Sequence, residues 1–150
     1  IRVPYIAHWP RVIPAGGVTA QQAITMDWTA TMLEAAGVAA DPAYPLDGLS
    51  LMPALRDAAW RAPRELFWRM NHRSQRAYRH GRMKYLKIDD HEYLFDVETD
   101  ERERANQAKW QPELLASMRA RYLEWAAQMP AIPPDAKVSL VYGDADMPQR

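Results

Sequence analysis

Along the middle of the chain, apolar and polar positions alternate with a period of two. Leu66, Trp68 and Met70 alternate with Phe67 and Arg69, and Arg76, Tyr78 and His80 with Ala77 and Arg79. Met83, Tyr85 and Lys87 alternate with Lys84 and Leu86, and Tyr93, Phe95 and Val97 with Leu94 and Asp96. Successive side chains of a strand point to opposite faces, so each run reads as a β-strand and the four in order as a meander between Arg64 and Asn106. His80-Gly81-Arg82 and Asp89-Asp90 fall between runs, where short hairpin loops take residues that tolerate unusual φ/ψ. After Asn106 the period changes. Leu115, Met118, Tyr122, Trp125 and Met129 recur at spacings of three and four behind Pro112. That spacing predicts an amphipathic helix of about 18 residues, about 27 Å long, covering the meander.

The N-terminal part is less regular. Residues 1–9 (IRVPYIAHW) are apolar on both faces, which predicts a strand buried from both sides, with Pro4 at its beginning or edge and His8 a packed side chain. Pro10, Pro14 and Gly16-Gly17 then interrupt regular structure. Residues 18–36 contain a helix, with Thr25 as its cap, Asp27 stabilising the positive end of its dipole, and Trp28, Met32, Ala35 and Ala36 as its apolar stripe. Gly37 ends it. Asp47-Gly48 forms a tight turn, and Ser50 caps a short helix over 51–56 with Pro53 in its first turn. The expected divisions are 1–63, 64–130 and an extended tail 131–150. Within that tail, 137–142 reads as one more short strand and 143–150 as a loose end.

Charge sharpens this picture. From Arg69 to Ile88 there are seven Arg or Lys residues and no acid, whereas from Asp89 to Glu103 there are eight acids and only Arg102 against them. In a meander these segments lie side by side, so cross-strand ion pairs neutralise much of the field, with Arg76, Arg79 and Lys84 expected to pair with Asp96 or Asp100. Part of the basic face turned into a cleft would instead attract an anion. The formal net charge of +0 argues against nucleic-acid binding, and the lack of cysteine excludes disulfides and thiolate-held zinc. No apolar run reaches the length of a membrane helix. His72, His80 and His91 lack the close pairing of a zinc site, and Asp89-Asp90-His91-Glu92 is dense in possible ligands, a density that a polar hairpin loop explains equally well. Neither a phosphate-binding glycine loop nor a nucleophile elbow is present. The opening on Ile1, inside a strand-like run, points to a piece of a longer protein.

The order of short motifs resembles the C-terminal part of the formylglycine-dependent sulfatases, a branch of the alkaline-phosphatase-like superfamily. Ile1-Arg2-Val3-Pro4, His8-Trp9-Pro10 and Ile13-Pro14-Ala15-Gly16 are similar to that family's I-R-V-P…W-P…I-P-A-G run. Ile24 to Asp27, Thr31-Met32-Leu33 and Ala35-Ala36-Gly37 resemble its D-x-x-P-T-L-L-x-x-A-G helix, with Thr29 or Ala30 where proline is usual. Leu46 to Leu51, Pro53 and Leu55 match L-D-G-x-S-L-x-P-x-L. Gln75 to Arg79, Gly81 and Lys84 resemble R-A-[VY]-R-x-G-x-W-K, with Met83 in place of tryptophan. Leu94 to Val97, Asp100, Glu103 and Asn106 resemble L-[YF]-D-L-x-x-D-P-x-E-x-x-N, with Glu101 in place of proline.

The resemblance implies an α+β segment: a strand and helix of the large sheet, then a small antiparallel meander covered by a C-terminal amphipathic helix. It implies a hydrolase of sulfate esters whose formylglycine nucleophile and divalent metal (calcium, or alternatively magnesium or manganese) lie in an N-terminal domain upstream of Ile1. No [CS]-x-[PA]-x-R segment occurs here, so this chain is expected to hold no catalytic or metal-binding residue and to be inactive alone. Its expected partners are that catalytic domain and a sulfate-ester small molecule or sulfated sugar, with oligomeric state left open. The expected substrate contacts, as walls of the cleft, are Asn71, His72 and Arg73 before the Arg76 strand and His91 in the later hairpin. Two alternatives remain at this point: a phosphonate or phosphate ester hydrolase of the same superfamily, and a non-catalytic anion-binding module.

Overall fold

A computed structural model describes residues 3–136; the expected strand at 137–142 and the tail end at 143–150 lie outside the described residues. The chain divides into two compact units, Ile1–Ala62 and Pro63–Arg150.

In the first unit, helix α1 covers Asp27–Ala35 and helix α2 covers Met52–Arg56. The expected Thr25 cap is not formed: Met26 occupies the cap position without a side-chain bond. Asp27 takes the structural role instead. Its carboxylate is fully buried, accepting Ile24 N–H at 2.7 Å and Leu49 N–H at 2.9 Å. One turn later the Thr31 hydroxyl donates to Asp27 C=O at 2.6 Å and accepts Leu51 N–H at 2.9 Å. These bonds tie the 48–51 turn along the helix, and Gly48 is required there because a Cβ would lie 2.2 Å from Met26 O. The buried face of α1 is thus Asp27 and Thr31, while Met32 of the expected apolar stripe is 60 % exposed. Gly37, at φ +68, ends the helix as expected. Ser50 Oγ accepts Met52 N–H at 3.3 Å, ahead of α2.

Residues 3–9 form no strand, and Val3, Ile6 and His8 are exposed. This corrects both the two-sided strand and the packed His8. A strand exists only through a neighbouring strand's hydrogen bonds, and none reaches this segment among the described residues.

In the second unit the meander forms as read: β1 Glu65–Arg69, β2 Arg76–His80, β3 Met83–Ile88 and β4 His91–Asp96, antiparallel in the order β1-β2-β3-β4. Two-residue loops join β2 to β3 and β3 to β4, with positive φ at Gly81 (+56) and Asp89 (+51). The register stacks Phe67, Tyr78, Tyr85 and Leu94 in one row across the sheet. Helix α3, Pro112–Ala126, lies over that row, placing Met118 and Tyr122 in the core with Leu115 and Trp125 beside them. Phe67 is stacked between Tyr78 (4.7 Å) and Trp125 (4.9 Å). The opposite face carries Ile88, Tyr93 and Phe95.

Ion pairing differs from expectation. Alternation sends Lys84 and Arg79 to the face opposite Asp96, and Arg76 lies at the far end of β2 from the Asp96 row. Asp96 is paired by Arg82 of the adjacent loop, and Lys84 by both oxygens of Glu103 at 2.7 Å. Arg76 donates to Met70 O and Gln75 O. The Leu94–Asn106 motif is therefore a set of staples. Asp100 accepts Ala105 N–H at 2.8 Å, and Asn106 Oδ1 accepts Leu94 N–H and Ala108 N–H, each at 3.0 Å. Together they fold the chain back from β4 toward α3.

Candidate functional site

A meander places its first and third connections at the same end of the sheet. The β1–β2 loop, with Asn71, His72 and Arg73, therefore shares that end with the β3–β4 hairpin. His72–Ser74 makes a single 3-10 turn in which Arg73 (φ +49) and Ser74 (φ +48) are both left-handed. Such backbone is costly for non-glycine residues and persists only where the surroundings over-determine it. Here Asp89 supplies the constraint: its carboxylate receives Arg73 Nε at 2.9 Å and its N–H donates to Arg73 O at 2.8 Å. The two loops are clamped together.

The four candidate residues hold different positions. Asn71 is exposed and donates to Ala136 O, so it tethers the segment that follows α3. His72 is half-buried in the turn. Arg73 braces the loop through Asp89, directing its guanidinium to that carboxylate. His91 is the first residue of β4, paired with Ile88, rather than a loop residue. Asp89, which sequence reasoning left as a generic hairpin residue, organises the site.

The sheet's helix-side face shows how its charges are arranged. Arg119 forks onto both oxygens of Glu92, which also accepts Tyr85 OH at 2.7 Å. Arg121 forks onto Glu65 at 2.8 and 2.6 Å, with Tyr78 OH donating to the same carboxylate. Hydrogen bonding from Arg121 holds the Glu65 carboxyl down to about 2. Burial pushes the Tyr78 and Tyr85 hydroxyls up, reinforced by the carboxylates they donate to. These bridges anchor α3 at opposite ends of the sheet. Among the described residues no three His, Asp or Glu side chains are grouped to hold a metal ion. No such group among them therefore fits the divalent ion that the resemblance implies.

By sequence, sulfatases match part of the chain; by fold, solved structures align with most of it. No family model matches the chain. Human arylsulfatase D is 38% identical over 68 residues, 45% of this chain and 12% of that protein. Dog N-acetylgalactosamine-6-sulfatase is 46% identical over 55 residues, 37% of this chain and 10% of that protein. The chain thus spans about a tenth of the length of these curated relatives. Among solved structures, that of Ps i-CgsB aligns with a TM-score of 0.68 at 26% identity, covering 79% of this chain and 27% of that one. The structure of BT4656 with its substrate D-glucosamine-2-N,6-O-disulfate aligns at 0.61 and 22% identity, covering 81% and 28%, a likeness of fold. In sequence and in fold, then, the chain resembles a C-terminal region of the sulfatases, with their alkaline-phosphatase-like α+β architecture.

Proposed function

We propose that this chain is the C-terminal part of a sulfuric ester hydrolase, in which it supports the fold and walls the substrate cleft. The observation that carries this reading is the match of local sequence to two sulfatases, in a chain whose fold also aligns with sulfatase structures. The nucleophile (a formylglycine) and the divalent ion belong, on this reading, to the rest of the protein. That N-terminal domain is also the partner for the first unit. Val3, Ile6, Val18, Met26, Met32 and Val38 are all large apolar side chains left exposed, an amount of surface that favours a covering partner.

The clamped end of the sheet is the proposed cleft wall. Asn71, His72 and His91 contact the part of the substrate beyond the ester, with Arg73 holding them in place through Asp89. Rigid support from a second layer of side chains is what lets a loop discriminate between substrates. A sulfated sugar is the proposed substrate class; the BT4656 structure holds such a ligand.

The test is His72→Ala in the full-length protein, with kcat/KM measured on a sulfated oligosaccharide and on a small aryl sulfate. A loss of about tenfold on the sugar, equivalent to about 1.4 kcal/mol of transition-state binding, is expected with the aryl ester spared. Equal losses on both substrates contradict the assignment.

A further inference from the structure

The two edges of the meander differ. At the β4 edge Leu94 is stapled, its N–H donating to Asn106 Oδ1 at 3.0 Å and its C=O accepting Gln107 N–H at 2.8 Å. β1 stands first in the strand order, so its outer edge has no strand beside it. Met70 N–H donates to Gln75 O at 3.0 Å, and bonded and unbonded pairs alternate along an antiparallel ladder. Leu66 and Trp68 therefore turn their backbone groups to β2, while Glu65, Phe67 and Arg69 turn theirs outward. Among the described residues no loop or helix backbone bonds to these three. Natural edges are blunted by proline, a bulge or a covering segment. The sequence Glu65-Leu66-Phe67-Trp68-Arg69 holds no proline and pairs with β2 without a bulge. Its two charges sit at opposite ends and differ in sign. Among the described residues the Arg69 guanidinium meets Pro130 O at 2.6 Å and faces Arg76 across the ladder, so its charge lacks an acid. Glu65, although forked by Arg121, keeps 34% of its side chain exposed.

We propose that β1 pairs antiparallel with β1 of a second copy of this chain, joining the two sheets across a two-fold axis at Phe67. In this register Phe67 meets Phe67 of the second copy, and Glu65 meets its Arg69, twice over by symmetry. Outward groups then oppose outward groups at all three positions, giving about six main-chain hydrogen bonds. Leu66 and Trp68 meet on the other face of the joined sheet. Moving the axis to Leu66 or Trp68 leaves one charge facing Phe67 and the other beyond the partner strand, so charge selects the register. The contact is about 17 Å long, short for a permanent interface, which sets the expected dissociation constant in the micromolar range. The inference stands on this edge and not on the hydrolase reading, so a dimer without turnover leaves it intact.

Sedimentation velocity of the full-length protein over about 1–100 µM is the experiment. A dimer is expected, weakening as salt screens the Glu65–Arg69 pairs. Arg69→Pro removes an outward N–H without touching the bonds to β2, and is expected to weaken the dimer about tenfold or more. Arg69→Glu sets acids opposite one another between the copies while relieving the repulsion from Arg76 within the chain. It is expected to weaken the dimer similarly, with the urea midpoint of the monomer preserved and the loss shrinking at high salt. Lys109→Ala, changing an exposed cation elsewhere, is the control expected to leave the dimer unchanged. The inference is overturned by a monomer at the highest concentration, whether or not another segment occupies the edge, or by a dimer that both Arg69 variants leave intact.

Discussion

The Lys84–Glu103 pair joins two of the sequence motifs, and its asymmetry yields a quantitative expectation. The Lys84 side chain is 7% exposed and that of Glu103 25%. Glu103→Gln leaves an ammonium buried without its counter-charge, the situation in which breaking a pair costs about 3–5 kcal/mol. The partial exposure of Glu103 places the expected cost near the lower end, about 3 kcal/mol. Lys84→Met leaves the more exposed partner, which rehydrates, and the gained apolar contact offsets part of the loss. About 1–2 kcal/mol is expected there. The double variant Lys84→Met/Glu103→Gln should lie close to Lys84→Met alone, because no unpaired buried charge remains. Urea unfolding of the full-length protein measures all three through the midpoint at constant slope. Glu103→Gln should also lower the melting temperature more than Lys84→Met does. Equal small effects from both single variants would refute the reasoning, since they would mean the pair is solvated.

Acid should unfold the second unit through its anchors. Glu65 binds its proton near pH 2 when folded but near its ordinary 4.5 when unfolded, so its contribution is full above about 4.5 and is lost as pH falls toward 2. Asp96, held down to about 2 first by the Arg82 hydrogen bond, acts in the same direction from its ordinary 3.8. Arg121→Ala should flatten the acid limb of melting temperature against pH; an unchanged limb would contradict the Glu65 assignment. In the first unit, Gly48→Ala forces a Cβ onto Met26 O and should cost about 2 kcal/mol or more, read by denaturant unfolding. Asp27→Asn swaps one carboxylate oxygen for a donor facing an N–H and should cost about 1–3 kcal/mol in the same assay. A neutral Asp27→Asn would remove the carboxylate from the account of that turn.

Strand alternation and the three-four spacing of α3 were legible because each element's period is local and half-buried. The partners of the charges were not. Lys84 and Asp96 look close in sequence pattern, yet the pleat sends them to opposite faces, so a loop acid, Glu103, reaches Lys84 instead. The 3–9 segment misled for a different reason: two-sided apolarity describes a strand whose neighbours are supplied from elsewhere. Asp27 reads as a helix-end charge, but its main work is accepting an N–H from Leu49, 22 residues along the chain, which no local pattern announces. His72 and Asn71 could be placed at a loop from sequence alone. The clamp between Arg73 and Asp89 needed the two hairpin ends to be brought together.

The proposal that this chain walls the cleft of a sulfuric ester hydrolase is tested most directly by sulfate release. The full-length protein and the 150-residue chain alone are each given an aryl sulfate and a sulfated sugar, with calcium present. The account predicts release of sulfate by the full-length protein and none by the isolated chain. Turnover by the isolated chain would contradict it, as would a full-length protein that cleaves phosphate or phosphonate esters and no sulfate ester.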